Sequence, residues 1–513
     1  MKLLQESPVP AQKAARAGWK RNPIIYEINT WVWLTQLSGE YDRPITLANV
    51  PAEALEDLAA WGFDAVWLMG VWHRGRATRM SALNYLHEYR PALPDITEAD
   101  VPGSAFAICD YQVEERLGGR AGLAIFREQL RGHGIKLILD FVPNHVASDH
   151  RWLVEQPEYF VNGTREDLKS DPVSFFSFLN GAGEQLAVAR GRDPYFPAWI
   201  DTAQLNAFHP GLRRAVIDTL IDIGDQCDGV RCDMAMLTTN DIFAETWNGY
   251  VGEAPAADFW PKIIPAVREI HPQMLFMAEV YWDLEHELQS QGFDYTYDKR
   301  MYDRLVNSEA GAIKAHLRAD LSYMQANIRF IENHDELRAM ESLGEDRQRP
   351  AAALICTLPG ATLLHQGQIE GRRIKLPVQI NRGADELAHP MLERFYRRLL
   401  GEVNKSIYHD GTWRMLEPRQ TSPADFSHQN LIVYTWREAG DSRIVVVNLS
   451  GEWSRATIHL DEWQDLAGGR WLLFDALSET YARHSGEALL ERGLQLESPP
   501  YGAHIFRFDP EAG

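Results

Sequence analysis

A chain of 513 residues with a net charge of −21 has no basic surplus to neutralise phosphates, which argues against nucleic acid or an anionic membrane as partner. Apolar residues make up 45% and charged residues 24%, the balance of an ordinary globular protein, and the length predicts two or three domains around separate cores. No segment approaches the roughly eighteen consecutive apolar residues of a membrane span. The N-terminus MKLLQESPVPAQKAARAGWK lacks an apolar signal core, so a cytoplasmic location is expected. Cys109, Cys227, Cys232 and Cys356 show no paired spacing and read as free thiols.

In chain order, residues 1–21 read as a loosely held basic leader. Pro23–Ile28 is a first strand, 51–62 a helix closed by Gly62, and Asp64–Met69 a second strand. The unit repeats with a helix at 122–130 (Leu123, Phe126 and Leu130 on one face) and a strand over Ile135–Asp140. Residues 146–210, rich in aromatics, Pro and Gly, form an ordered excursion after that third strand. A helix through Leu212, Val216 and Leu220 returns to a strand at 228–235, and further strands are expected at Met274–Glu279, Phe293–Tyr297, Ile328–Glu332 and Thr362–His365. Eight strands alternating with helices predict an α/β fold, a (β/α)8 TIM barrel over 22–410. From about 411 the helices give way to short strands (430–436, 443–448, 456–460, 471–474, 504–508), which predict a separate C-terminal antiparallel β-sandwich domain over 411–513.

Four of these strand ends carry polar clusters: Asp140-Phe-Val-Pro-Asn144-His145, Gly229-Val-Arg231-Cys-Asp233, Phe276-Met-Ala-Glu279 and Phe330-Ile-Glu-Asn-His334-Asp335. One such cluster is explained by helix capping or a core ion pair. Four at the same end of a barrel imply a task, because buried charges cost several kcal/mol each unless paired. Alternation along a strand points Arg231 and Asp233 the same way, and a neighbouring guanidinium holds a carboxylate ionised and oriented, which suits a nucleophile. Glu279 follows the apolar Phe276 and Met277 and precedes Val280, surroundings that raise a carboxyl toward the range of a working acid. Two carboxyls about 5–5.5 Å apart across a glycosidic bond serve a retaining glycosidase.

In this order and spacing the clusters resemble the four short signature regions of the α-amylase family, glycoside hydrolase family 13, and the resemblance runs from Tyr26 to about Phe508. It implies Asp233 as nucleophile, Glu279 as general acid/base and Asp335 as transition-state stabiliser. It implies sugar-binding roles for His145, Arg231, His334 and Asp140, and it matches Asn144 to a frequent calcium ligand. Phe106 stands where the family carries a stacking Tyr, and Trp282, Trp199 and Trp72 are further stacking candidates whose alternative is core filling. Two departures bear on specificity and metal: Met236-Leu237 replaces a Lys-His pair that touches sugar in many relatives, and Gln204 replaces the usual acid of a fifth region. The expected partner is an α-glucan or maltooligosaccharide, with no required cofactor and a structural calcium as an option; the residues carry no oligomer signal. Hydrolysis is the leading reading. A transglycosidase shares its first half-reaction, a catalytically silent glucan-binding protein would keep the fold alone, and metal-assisted chemistry would need a multi-His ligand set that is not evident.

Overall fold

The computed structural model describes residues 15–180 and 183–511. Eight parallel strands close into a barrel: β1 (Ile24–Asn29), β2 (Ala65–Met69), β3 (Lys136–Phe141), β4 (Gly229–Cys232), β5 (Leu275–Ala278), β6 (Tyr295–Tyr297), β7 (Asn327–Arg329) and β8 (Ala361–His365). Each pairs with the next in sequence, and β8 returns to β1 with Thr362 opposite Ile24. The strands read as continuous apolar runs because helices such as Gly119–Gly132, Pro210–Gln226 and Phe259–Ile270 cover them from outside while side chains fill the barrel.

Three features depart from the sequence expectations. First, the β-helix rhythm does not resume directly after β2. Between Met69 and Gly119 a strand pair (Trp72–Arg74 with Ile108–Val113) and a helix (Arg76–Leu83) build an annex with its own apolar cluster of Ala82, Tyr89, Leu93, Ile96 and Val101. Ile380, from the long loop after β8, completes that cluster, so two loops brace each other at the barrel mouth. Second, β7 stops at Arg329, and Phe330–Asp335 is loop: Asn333 Oδ1 accepts from the backbone N–H of Asp335 and Glu336, 2.9 Å each, a local turn that competes with the ladder. Third, the described part of the expected leader is anchored at the opposite end of the barrel. Trp19 Nε1 donates to Gln273 O (3.0 Å), and Arg16 pairs with Asp294 at 2.7 Å. Residues 1–14 of that leader lie outside the described residues.

The excursion is ordered. His145–Ala147 pairs with Thr202–Gln204, and a three-stranded sheet (Asn162–Gly163, Gln185–Ala189, Phe175–Leu179) lies between them in sequence. The C-terminal region forms a six-stranded antiparallel sheet, with Leu431–Glu438 and Asp441–Asn448 turning at Gly440 (φ 81°), and a two-stranded layer of Ser454–Ile458 with Leu494–Ser498. Strand alternation divides the sheet. Leu431, Val433, Ile444 and Val446 face the two-stranded layer, whereas Ile432, Tyr434, Trp436, Val445 and Val447 join the barrel core. The C-terminal sheet is therefore welded to the barrel instead of hanging from a linker. Among the described residues no helix is long and apolar enough to cross a membrane.

Candidate active site

The site begins at the end of β4. Arg231 and Asp233 do point together: Nη1 of the fully buried Arg231 lies 2.5 Å from Asp233 Oδ1. Its Nη2 lies 2.8 Å from Glu279 Oε2, so one guanidinium joins both carboxyls. Immediately after Asp233 the chain turns sharply at Met234 (φ 41°), a left-handed conformation rare outside glycine, and the Met234 N–H donates to Glu279 Oε2 at 2.7 Å. The Tyr281 hydroxyl donates to Glu279 Oε1 at 2.8 Å. Burial is the main cause that pushes Glu279 up to about 7, and the charges of Asp233 and Asp335 add to it against the pull of Arg231. Burial also raises Asp233, opposed by Arg231.

Asp335 faces them from the loop beyond β7, with its side chain 48% exposed at the cavity mouth. Burial of its surroundings would raise it, but the charge of His334, whose Nε2 is 2.9 Å from Asp335 Oδ2, holds it well below the usual carboxylate range. The other ring nitrogen, His334 Nδ1, lies 2.5 Å from Oε1 of Glu27 on β1. Burial disfavours the charged imidazole, yet Asp335 and Glu27 together lift His334 to about 10. Phe106 stacks on the His334 ring (centroids 5.0 Å apart, 27° between planes), and the Arg231 guanidinium packs against the rings of Phe106, Trp67 and Tyr297.

A cavity of about 300 Å³ opens over these groups, lined by Asp233, Glu279, Asp335, Tyr281, Met234, Phe106 and His145, and by Trp199, Asp201, Thr202 and Gln379 from the flanking loops. The three carboxylates singled out in the sequence thus share one cavity, with His145, Phe106 and Trp199. Burial lowers His145 to about 4, which makes it a neutral hydrogen-bonding group at ordinary pH. The other residues assigned to sugar binding lie elsewhere. Arg231 and His334 are buried behind the carboxylates they hold. Asp140 is wholly buried, accepting from Trp67 Nε1 (2.8 Å) and Gly70 N (2.6 Å), because it lies inside β3 and not beyond its end. Trp72 is core and donates to Asp140 O. Trp282, in a left-handed turn with Asp283 (φ 63° each), packs edge-on against Tyr195 and is not among the cavity-lining residues. Glu27, Tyr281 and Gln379 went unnoticed in the sequence. Only Glu27 left a signal there, a lone acid in a strand otherwise apolar enough to be core.

The departures from the family pattern also have structural consequences. Met236 and Leu237 are buried in a short 3₁₀ turn (Ala235–Thr238) and face the core, not the cavity. Gln204 pairs with Asn144: its Nε2 donates to Asn144 Oδ1 (2.9 Å), Asn144 O (2.8 Å) and Leu205 O (3.0 Å), and its Oε1 accepts from Asn144 Nδ2 (3.3 Å). The oxygens that a calcium ion would need are turned on an amide nitrogen. Among the described residues no cluster of three or more His, Cys, Asp or Glu could hold a metal. A neutral donor set of this kind does not fit Ca²⁺, which takes six to eight oxygens with carboxylates among them.

Comparison with known proteins agrees with this geometry. Alpha-amylase MalA of Haloarcula japonica is 24% identical over 453 residues, covering 85% of this chain and 56% of that protein. Alpha-amylase 3 of Dictyoglomus thermophilum is 23% identical over 375 residues, covering 68% of this chain and 64% of that protein. An alpha-1,4-glucan:maltose-1-phosphate maltosyltransferase of Pseudomonas aeruginosa is 26% identical over 252 residues, 48% of this chain and 31% of that protein. The chain therefore spans less than two thirds of the length of each of these relatives. An α-amylase structure from Lactobacillus plantarum superposes with a TM-score of 0.65 over 95% of this chain and 99% of that one, at 20% identity, a likeness of fold. The family described as "Alpha amylase, catalytic domain" matches residues 52–388, from the helix Ala52–Ala60 before β2 to the loop after β8, and the chain belongs to it.

Proposed function

We propose that the chain is a retaining glycosidase that hydrolyses α-linked glucose oligosaccharides or glucans through a covalent glycosyl-enzyme intermediate. The observation that carries this reading is the pair Asp233 and Glu279, bridged by one guanidinium at the floor of a single cavity, with Asp335 facing them. Asp233, oriented by Arg231, attacks the anomeric carbon while Glu279 gives its proton to the glycosidic oxygen. The C1–O bond breaks as an ester to Asp233 forms. Water then attacks the same carbon, Glu279 takes its proton, and Asp233 leaves as carboxylate. A Glu279 near 7 is present in both protonated and ionised forms in neutral solution, so it can give a proton in the first half-reaction and take one in the second. Asp335, kept ionised by His334, stabilises the positive charge that builds on the ring.

The names of its relatives, α-amylases and a maltosyltransferase, support an α-glucan as substrate and keep transfer to a sugar acceptor as the second reading. The test is the product profile from maltoheptaose, with the anomeric form of the first product followed by NMR. An α-anomer and products shorter than the substrate are expected. A β-anomer overturns retention, products longer than the substrate overturn hydrolysis as the main activity, and binding without turnover overturns catalysis.

A further inference from the structure

Glu27 is wholly buried in β1, level with Trp67 of β2 and His365 of β8. A carboxylate in that position costs several kcal/mol unless something pairs with it. Its carboxylate makes one hydrogen bond among the described residues, to His334 Nδ1; its second oxygen, Oε2, makes none. The His334 ring is fixed on its flat side by Phe106 and by an edge-on contact with Trp67 (5.5 Å), so only its two nitrogens are left to be satisfied. Both face carboxylate oxygens: Nδ1 is hydrogen-bonded to Glu27 Oε1 at 2.5 Å, and Nε2 lies 2.9 Å from Asp335 Oδ2 as an ion pair, outside hydrogen-bond geometry. Two ionised carboxylates, one against each ring nitrogen, favour an imidazole protonated on both.

We propose that Glu27 is a positioning residue that holds His334 as an imidazolium facing Asp335, and thereby sets the orientation and charge of Asp335 at the cavity. This deepens the glycosidase reading above and rests on it for the role of Asp335. The charged groups around His334 are Glu27 from β1, Asp140 from β3, Arg231 and Asp233 from the end of β4, and its neighbour Asp335. Glu27 is itself held below the usual range against the effect of burial, chiefly by His334, with Arg231 adding to it. Of the carboxylates among the described residues, only Glu27 and Asp335 reach the His334 ring nitrogens.

The experiment uses the full chain carrying Glu27→Gln, His334→Asn and both changes. Glu27→Gln is expected to lower kcat by about tenfold through misorientation of Asp335, with KM within about twofold. It is also expected to move the alkaline limb of kcat to lower pH, because His334 then loses its proton sooner. In the His334→Asn background the same change should have no further effect on kcat. Additive losses, or an unshifted alkaline limb, overturn the proposal. Histidine ¹⁵N NMR of the unaltered protein, with His334 assigned by its through-bond connectivity to the backbone, gives a readout independent of activity and of the folding of any variant. Both ring nitrogens protonated at pH 8 is the expected result, and a neutral His334 there overturns the proposal even if the glycosidase reading stands. Absence of retention or turnover in the unaltered protein overturns the glycosidase reading and leaves this titration to decide Glu27.

Discussion

Replacing Glu279 by Gln should abolish most of the activity and at the same time stabilise the fold above neutral pH. The side chain is almost fully buried, and burial is the chief reason its carboxyl sits at about 7 instead of 4.5. The folded chain therefore holds a proton that the unfolded chain has already lost between those two values. The sign follows from linkage: for a carboxyl raised by folding, stability is greatest below the unfolded value and declines as pH rises through the folded one. The difference of 2.5 units (7 − 4.5) corresponds to on the order of 3 kcal/mol at 1.36 kcal/mol per unit. Gln fits the same contacts. Its carbonyl can accept from Met234 N–H beside the Arg231 guanidinium, and its amide can donate to Tyr281 if that hydroxyl turns to accept. Urea unfolding of both proteins at pH 4.5 and pH 8 checks this. The unaltered protein should lose stability between the two, and Glu279→Gln should lose less by about that amount, while kcat falls roughly 10²–10⁴-fold as for loss of a general acid. Equal pH dependence in the two proteins would refute the claim that burial at this site holds a proton on Glu279.

Asp335→Asn should lower kcat by about 10²–10³-fold, the usual cost of removing one group that stabilises transition-state charge, and should also lower the pKa of His334, read by histidine NMR. A chelator should leave the thermal midpoint unchanged, because Gln204 already satisfies the oxygens around Asn144; Gln204→Glu should lower the midpoint by burying a carboxylate against them, and a fall on adding EDTA to the unaltered protein would contradict this. Trp436→Ala removes a buried ring whose Nε1 donates to Thr357 O at 2.7 Å across the sheet–barrel seam, and should cost about 3–5 kcal/mol and open the seam to limited proteolysis. An unchanged midpoint there would mean that the seam contributes little.

The sequence determined the barrel and its three acids. Long apolar strands between amphipathic helices admit few other closed arrangements, and Asp233, Glu279 and the pair His334-Asp335 follow or end such strands. Alternation was enough to place Arg231 beside Asp233, because both lie on one short extended run. Only the tertiary structure decided which polar groups touch the cavity and which stand behind it. Asp140 and Asp233 look alike in sequence, each at the end of an apolar run, but Asp140 lies within β3 and is sealed by Trp67 and Gly70. The annex between β2 and β3 has too little periodicity to be read locally, since its cluster is completed by Ile380 from the other end of the barrel. Glu27 meets His334 across 307 positions. Contacts at that separation are set by closure of the whole sheet, and local propensity and spacing carry no information about them.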